Sequence, residues 1–119
     1  VRVVNDQIGK PTYTLDLARA TRMLLNIDEH EHEHEHEHEL KKCRPFGMYH
    51  LINEGAVSWY DFAKEIFEEA KMDVAVEAIS SEEFACPAKR PAVSILNNTR
   101  GPMLRGHREA LKEYLRIAV

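Results

Sequence analysis

The sequence predicts a small α/β fold, a modest sheet with three to four helices, in one domain spanning residues 1–119. Three observations predict it. Short β-type runs alternate with helix-type stripes, the pattern of an α/β unit. The length of 119 residues suits one ordinary domain and leaves no room for two. Hydrophobic residues make up 44%, enough for a modest core, and 30% charged residues keep the surface solvated.

The opening run VRVV reads as a strand closed by the turn residues Asn5 and Asp6. After the loop NDQIGKPTYT, Thr14 is placed to cap a helix from Leu15 to about Asn26, its hydroxyl accepting a first-turn N–H. Leu17, Ala20, Thr21, Leu24 and Leu25 share one face of that helix. MYHLI, residues 48–52, reads as a strand ended by Asn53-Glu54-Gly55. Ser58 then caps the clearest helix, with Asp61 three residues on in near capping-box spacing. Trp59, Phe62, Ala63, Ile66, Phe67 and Ala70 form its apolar stripe. VAVEAI, residues 74–79, reads as a strand and SSEEF as a capped helical turn. CPAKRPAV is held extended by its prolines, and SIL, residues 94–96, reads as a short strand. The last helix runs from His107 to about Ile117, with Ala110, Leu111, Tyr114 and Leu115 inward.

A net charge of −4, with the basic residues scattered and outnumbered, speaks against nucleic acid and anionic membrane as partners. No run approaches the roughly 18 apolar residues of a membrane span, and no signal peptide is visible. Cys43 and Cys86 have no metal-ligand spacing and read as free thiols of a reducing, cytoplasmic compartment, a long-range disulfide being the alternative. The chain opens inside a strand with no Met, from which the expectation is a piece of something longer.

SWYDFAK places Tyr60 and Lys64 four residues apart, the Y-x-x-x-K spacing of a proton-donating Tyr and its Lys. No G-x-x-G-x-x-G or G-x-G-x-x-G loop accompanies it, and the chain has five glycines in all. The spacing therefore reads as an accident of an amphipathic helix.

Over VVNDQIGKPTYTLDLARA the chain resembles dTDP-4-dehydrorhamnose reductase, an extended short-chain dehydrogenase/reductase. The resemblance continues, in the family's order, through GMYHLINEGAVSWYDFAKEIFEEA, ISSEEF, PAKRPAVSILNN and REALKEYL. It implies the C-terminal, substrate-binding portion of such a reductase, without the Rossmann half that carries the NADPH loop and the catalytic Tyr and Lys. The family reduces the 4-keto group of a dTDP-6-deoxyhexulose to give dTDP-L-rhamnose. A chain lacking the Rossmann half is catalytically incomplete alone, binds no NADPH by itself, and exposes apolar faces that the missing half, or self-association through domain swapping, would cover.

Four residues stand out as substrate-binding candidates. Arg90, stiffened by Pro87 and Pro91 and seconded by Lys89, suits bidentate contact with the diphosphate of a dTDP-sugar; the competing reading is a surface pair with Glu82 or Glu83. Gln7 and Thr12, with Thr14, offer neutral donors and acceptors to a sugar or base, or else hydrogen-bond within their own loop. Ser94, with Asn97, lines the same pocket or ends a strand. Trp59 reads as a core or half-buried residue at a helix start, with stacking on a base as the alternative. Asp16 is explained by the helix dipole.

Residues 28–40 form a Glu-His low-complexity insertion foreign to the family pattern. In a helix His30, His34 and His38 stack at i, i+4, i+8, a geometry for a divalent metal; in a strand all five histidines of the repeat share one side. A solvated insertion with adventitious affinity for Zn or Ni, a tag-like substituted segment, and a metal-storage or sensing function all remain open. The last would make the chain a non-enzymatic metal-binding or interaction module. In each case the imidazoles, with an ordinary pKa of about 6.5, lose their lone pairs to protons in mild acid. Calorimetric titration should therefore show Zn²⁺ affinity falling between about pH 7.5 and about pH 5.5; a flat profile would rule out imidazole ligation.

Overall fold

In the computed structural model, residues 1–25 and 45–118 are described. Eight elements follow in order: β1 (Arg2–Val4), β2 (Ile8–Gly9), α1 (Thr14–Leu24), β3 (Val57–Ser58), α2 (Trp59–Glu69), β4 (Glu77–Ile79), α3 (Ser81–Phe84) and α4 (His107–Ala118). This is the expected mixed α/β arrangement with four helices. The strands, however, form two separate pairs: β1 runs parallel to β4 in the register Val4↔Ile79, and β2 runs antiparallel to β3. No helix among the described residues is long and apolar enough to cross a membrane.

Local signals explain α2. The Ser58 side chain accepts the Asp61 N–H at 3.0 Å and donates back to the Asp61 carboxylate at 2.6 Å, so the cap closes on itself. Phe62, Ala63, Ile66 and Phe67 are half-buried against β1, β3 and α4. Trp59 is not core: it is 54% exposed.

Four expectations are corrected. MYHLI forms no strand: the Tyr13 N–H is taken at 2.8 Å by the Asn53 side chain rather than by a strand backbone, and among the described residues this stretch keeps only one bridge, Glu54 to Gly106. SIL likewise forms no strand, since pairing stops at a single bridge from Ile8 to Val93. Thr14 lies inside α1, whose cap position is Tyr13 with no side-chain cap hydrogen bond. That helix is also turned from the expected face: Asp16 and Ala20 are buried, while Leu17 and Thr21 are exposed.

A polar cluster causes the turn. The Arg105 guanidinium grips Asp16 with two parallel hydrogen bonds of 2.9 Å, and Asn53 Nδ2 donates to the same carboxylate at 2.8 Å. Arg105 reaches Glu113 of α4 at 2.5 Å, and Asn53 Nδ2 also donates to the Arg105 carbonyl at 3.1 Å. Asn53 is wholly buried. Burial alone would raise the Asp16 carboxyl, but hydrogen bonds from Arg105 and Asn53 and the Arg105 charge outweigh it and hold the group below the usual carboxylate range. A buried charge so well paired dictates which side of α1 faces in.

Two outcomes follow for stability. Asn53→Ala strands the Tyr13 N–H and one lobe of the Asp16 carboxylate, and should lower the unfolding free energy by about 3 kcal/mol, read from urea midpoints. Because the folded-state pKa of Asp16 is depressed, its contribution is present above the unfolded value of about 3.9 and is lost as pH falls through the lower folded value. Arg105→Met should therefore cost about 3–5 kcal/mol at neutral pH. The gap to the unmodified chain should narrow below about pH 4; a gap that ignores pH would refute the assignment.

Candidate functional site

The loop from Asn5 to Tyr13 joins both strand pairs to α1, and its backbone is fixed from several sides. Ile8 donates to the Ala92 carbonyl at 2.8 Å and its own carbonyl accepts the Ser94 N–H at 2.9 Å. The Gln7 carbonyl accepts the Trp59 N–H at 3.4 Å, tying the loop to the first turn of α2. Asp6 serves α3: its carboxylate accepts the Ser81 N–H at 3.0 Å and the Ser81 hydroxyl at 2.6 Å. These bonds hold the Asp6 carboxyl below its ordinary range.

Trp59 stands where three hollows meet. One, of about 310 Å³, lies between α2 and α4 and includes Thr12, Phe62, Leu111 and Tyr114. A second, of about 140 Å³, includes Gly9, Lys10 and Ser94. The third, of about 400 Å³, includes Arg2, Gln7, Phe84, Cys86 and Arg90. The four residues singled out in the sequence thus lie around one exposed indole, with Gln7 and Arg90 in the same hollow.

Their hydrogen-bonding capacity differs. Thr12 donates to the Lys10 carbonyl at 3.3 Å and accepts the Asn53 N–H at 3.4 Å, so its hydroxyl is spent within the fold. Ser94 donates to the Ile8 carbonyl at 3.3 Å. Gln7 Nε2 donates to Ser81 Oγ at 2.8 Å. Arg90 is exposed and makes no ion pair among the described residues. Glu83, one of its two expected surface partners, is instead paired with Arg2, which also approaches Glu77 at 3.8 Å.

Tyr60 and Lys64 meet as a cation–π contact, the ammonium 5.3 Å from the ring centroid, and neither residue lines the hollows around Trp59. The metal-ligand candidates His30, His34 and His38, with the rest of the Glu-His segment and Cys43, lie outside the described residues. Cys86 is a free thiol.

Sequence reasoning passed over His107. It is buried at the start of α4, with Nε2 2.8 Å from Glu65 and Nδ1 3.2 Å from the Glu54 carbonyl. Gly55 makes room for it: φ is +98°, and an added Cβ would stand 2.4 Å from His107 Nδ1. The Asn-Glu-Gly turn was readable; the histidine it accommodates lies 52 residues on and was not.

Comparison with known proteins gives this arrangement its relatives. Spore coat polysaccharide biosynthesis protein SpsK of Bacillus subtilis is 40% identical over 119 residues, covering 97% of this chain and 36% of that protein. The dTDP-4-dehydrorhamnose reductase of Escherichia coli K12 is 33% identical over 104 residues, covering 82% of this chain and 31% of the enzyme. Among solved structures, the dTDP-4-dehydrorhamnose reductase of Bacillus anthracis, in complex with NADP, superposes with a TM-score of 0.79 at 32% identity, over 98% of this chain and 38% of that one. The Clostridium acetobutylicum enzyme gives a TM-score of 0.79 at 37% identity, over 99% and 38%. The chain thus spans about a third of the length of the curated relatives it matches. With strands, helices and loop superposing on reductases, and with the profile of the RmlD substrate binding domain matching residues 1–118, the chain belongs to that family.

Proposed function

We propose that the chain is the dTDP-sugar-binding part of a dTDP-4-dehydrorhamnose reductase-like enzyme, one that reduces a dTDP-4-keto-6-deoxyhexulose with NADPH in dTDP-L-rhamnose synthesis. The observation that carries this reading is the convergence on Trp59 of Gln7, Thr12, Ser94 and Arg90. A guanidinium without an ion pair among the described residues, sharing a hollow with an exposed indole, suits a nucleoside diphosphate. The guanidinium meets phosphate oxygens in a planar fork, and the ring offers a face to a base or sugar. Thr12 and Ser94 act in this reading by shaping the loop.

The reductant is assigned to no residue here. NADPH phosphates need a run of backbone N–H groups at a glycine-rich helix start, and none of the five glycines stands in such a motif. The chain's own share is to hold and orient the sugar nucleotide. Large apolar side chains left exposed, Phe46, Met48 and Met103 among them, support contact with a further module that carries the hydride donor.

Calorimetric titration with dTDP-rhamnose in EDTA tests the proposal. Binding should weaken about 10- to 100-fold in Arg90→Ala, the worth of a charge-assisted hydrogen bond or two. Absence of heat at millimolar ligand, or an Arg90→Ala chain that binds equally well, would overturn it.

A further inference from the structure

The orientation of one amide in the Trp59 site is settled by a chain of hydrogen bonds. Asp6 is an ionised carboxylate and can only accept. Its Oδ1 lies 2.6 Å from Ser81 Oγ, so the single hydroxyl proton of Ser81 is committed to Asp6. Only lone pairs remain on that oxygen for Gln7, 2.8 Å away, and the Gln7 group facing it must be the NH₂. The amide oxygen, Oε1, is therefore turned away from Ser81, and it accepts no hydrogen bond among the described residues. Gln7 lines the hollow shared by Trp59 and Arg90, and its backbone carbonyl holds the Trp59 N–H. The same residue thus ties down the first turn of α2 and carries an amide held in one orientation, in a hollow that Trp59 also lines.

We infer that Gln7 is a specificity-determining residue that selects a pyrimidine-2,4-dione base, its Oε1 accepting the ring N3–H of a base lying against Trp59, with Asp6 and Ser81 as positioning residues that keep the amide in that orientation. The inference rests on the nucleotide reading above and deepens it. A thymine or uracil ring carries a hydrogen on N3. A cytosine ring carries a lone pair there and would set acceptor against acceptor. An amide free to flip would serve both. The Asp6–Ser81 pair forbids the flip without itself touching the base.

Titration of the 119-residue chain with dTDP and with dCDP tests this. The unmodified chain should prefer dTDP by about 10- to 100-fold, the cost of leaving one acceptor unpaired. Ser81→Ala releases the amide, and the dTDP:dCDP ratio should fall toward one by a gain in dCDP affinity, which loss of structure alone does not produce. Gln7→Met keeps the backbone contact to Trp59 and should lose the preference by weakening dTDP. The preference should also be insensitive to Arg90→Ala, which lowers both affinities together. Binding of dTDP that depends on Arg90 while the ratio stays unchanged in Ser81→Ala and Gln7→Met would overturn the role of Gln7 and leave the nucleotide reading standing. Failure of dTDP itself to bind at millimolar concentration would overturn both.

Discussion

The buried ion pair between Asp16 and Arg105, with Asn53 set between them, is the constraint on which the rest depends. The apolar core is small: among the described residues Val4, Ala20, Ile79, Ala110 and Leu111 are the buried hydrophobic ones, and two of these five are alanines. Contacts of that size attract but do not fix orientation. The buried polar residues Asp16, Asn53, Ser58 and His107 are nearly as numerous, and each has directional partners. Asp16 is buried and the Arg105 side chain only 23% exposed; such a pair adds little net stability over an apolar replacement, yet it tolerates few geometries. Its contribution is register. It pins α1, the backbone at Asn53 and the approach to α4 to one another, which a handful of aliphatic contacts would leave free to slide.

That register reaches the candidate site through one short stretch. Asn53 is anchored to Tyr13, and Glu54 pairs with the backbone on either side of Gly106, donating to Arg105 and accepting from His107. Gly55 turns against His107, and Ser58 closes the cap of α2. Each step between Asn53 and Trp59 is therefore held by the fold rather than by packing of the indole. This is how a tryptophan stays 54% exposed at a defined place. A side chain placed by its own burial has to be buried; one placed by its backbone is available to a ligand.

What was legible in the sequence was local. The Ser58–Asp61 cap, the Phe62, Ala63, Ile66 and Phe67 part of the α2 stripe and the strand at Arg2–Val4 depend on neighbours within a turn or two, and they appeared where the residues put them. The family likeness was readable for a related reason: motifs such as NDQIGKPTYTLDLA are contiguous and keep their order. The inward face of α1 was not readable. Leu17 outranks Asp16 on any hydrophobic scale, and the arginine that reverses the ranking lies 89 residues away. MYHLI misled for the same reason, since the Asn53 side chain takes the hydrogen bond a neighbouring strand would have taken. Arg90 and Gln7 were singled out for chemistry that is local to them, while Asp6 and Ser81, which orient Gln7, stand 75 residues apart and passed as a turn residue and a cap.

The two arginines of the Trp59 hollow, in a chain of net charge −4, differ in how they are paired. Ionic screening confines the influence of exposed charges to about 8–10 Å, so the total matters less than the pairing of each guanidinium. Arg2 lies beside Glu77 and Glu83, and its charge is spent locally on joining β1, β4 and α3. Arg90, on a segment stiffened by Pro87 and Pro91, has no carboxylate on it among the described residues. An exposed arginine left this way loses little, because a surface ion pair is worth under about 1 kcal/mol. The same hollow then has one cation that maintains the fold and another that is uncommitted. Strand register sets Arg2 opposite Glu77 in the parallel pair, whereas Arg90 lies outside the described strands.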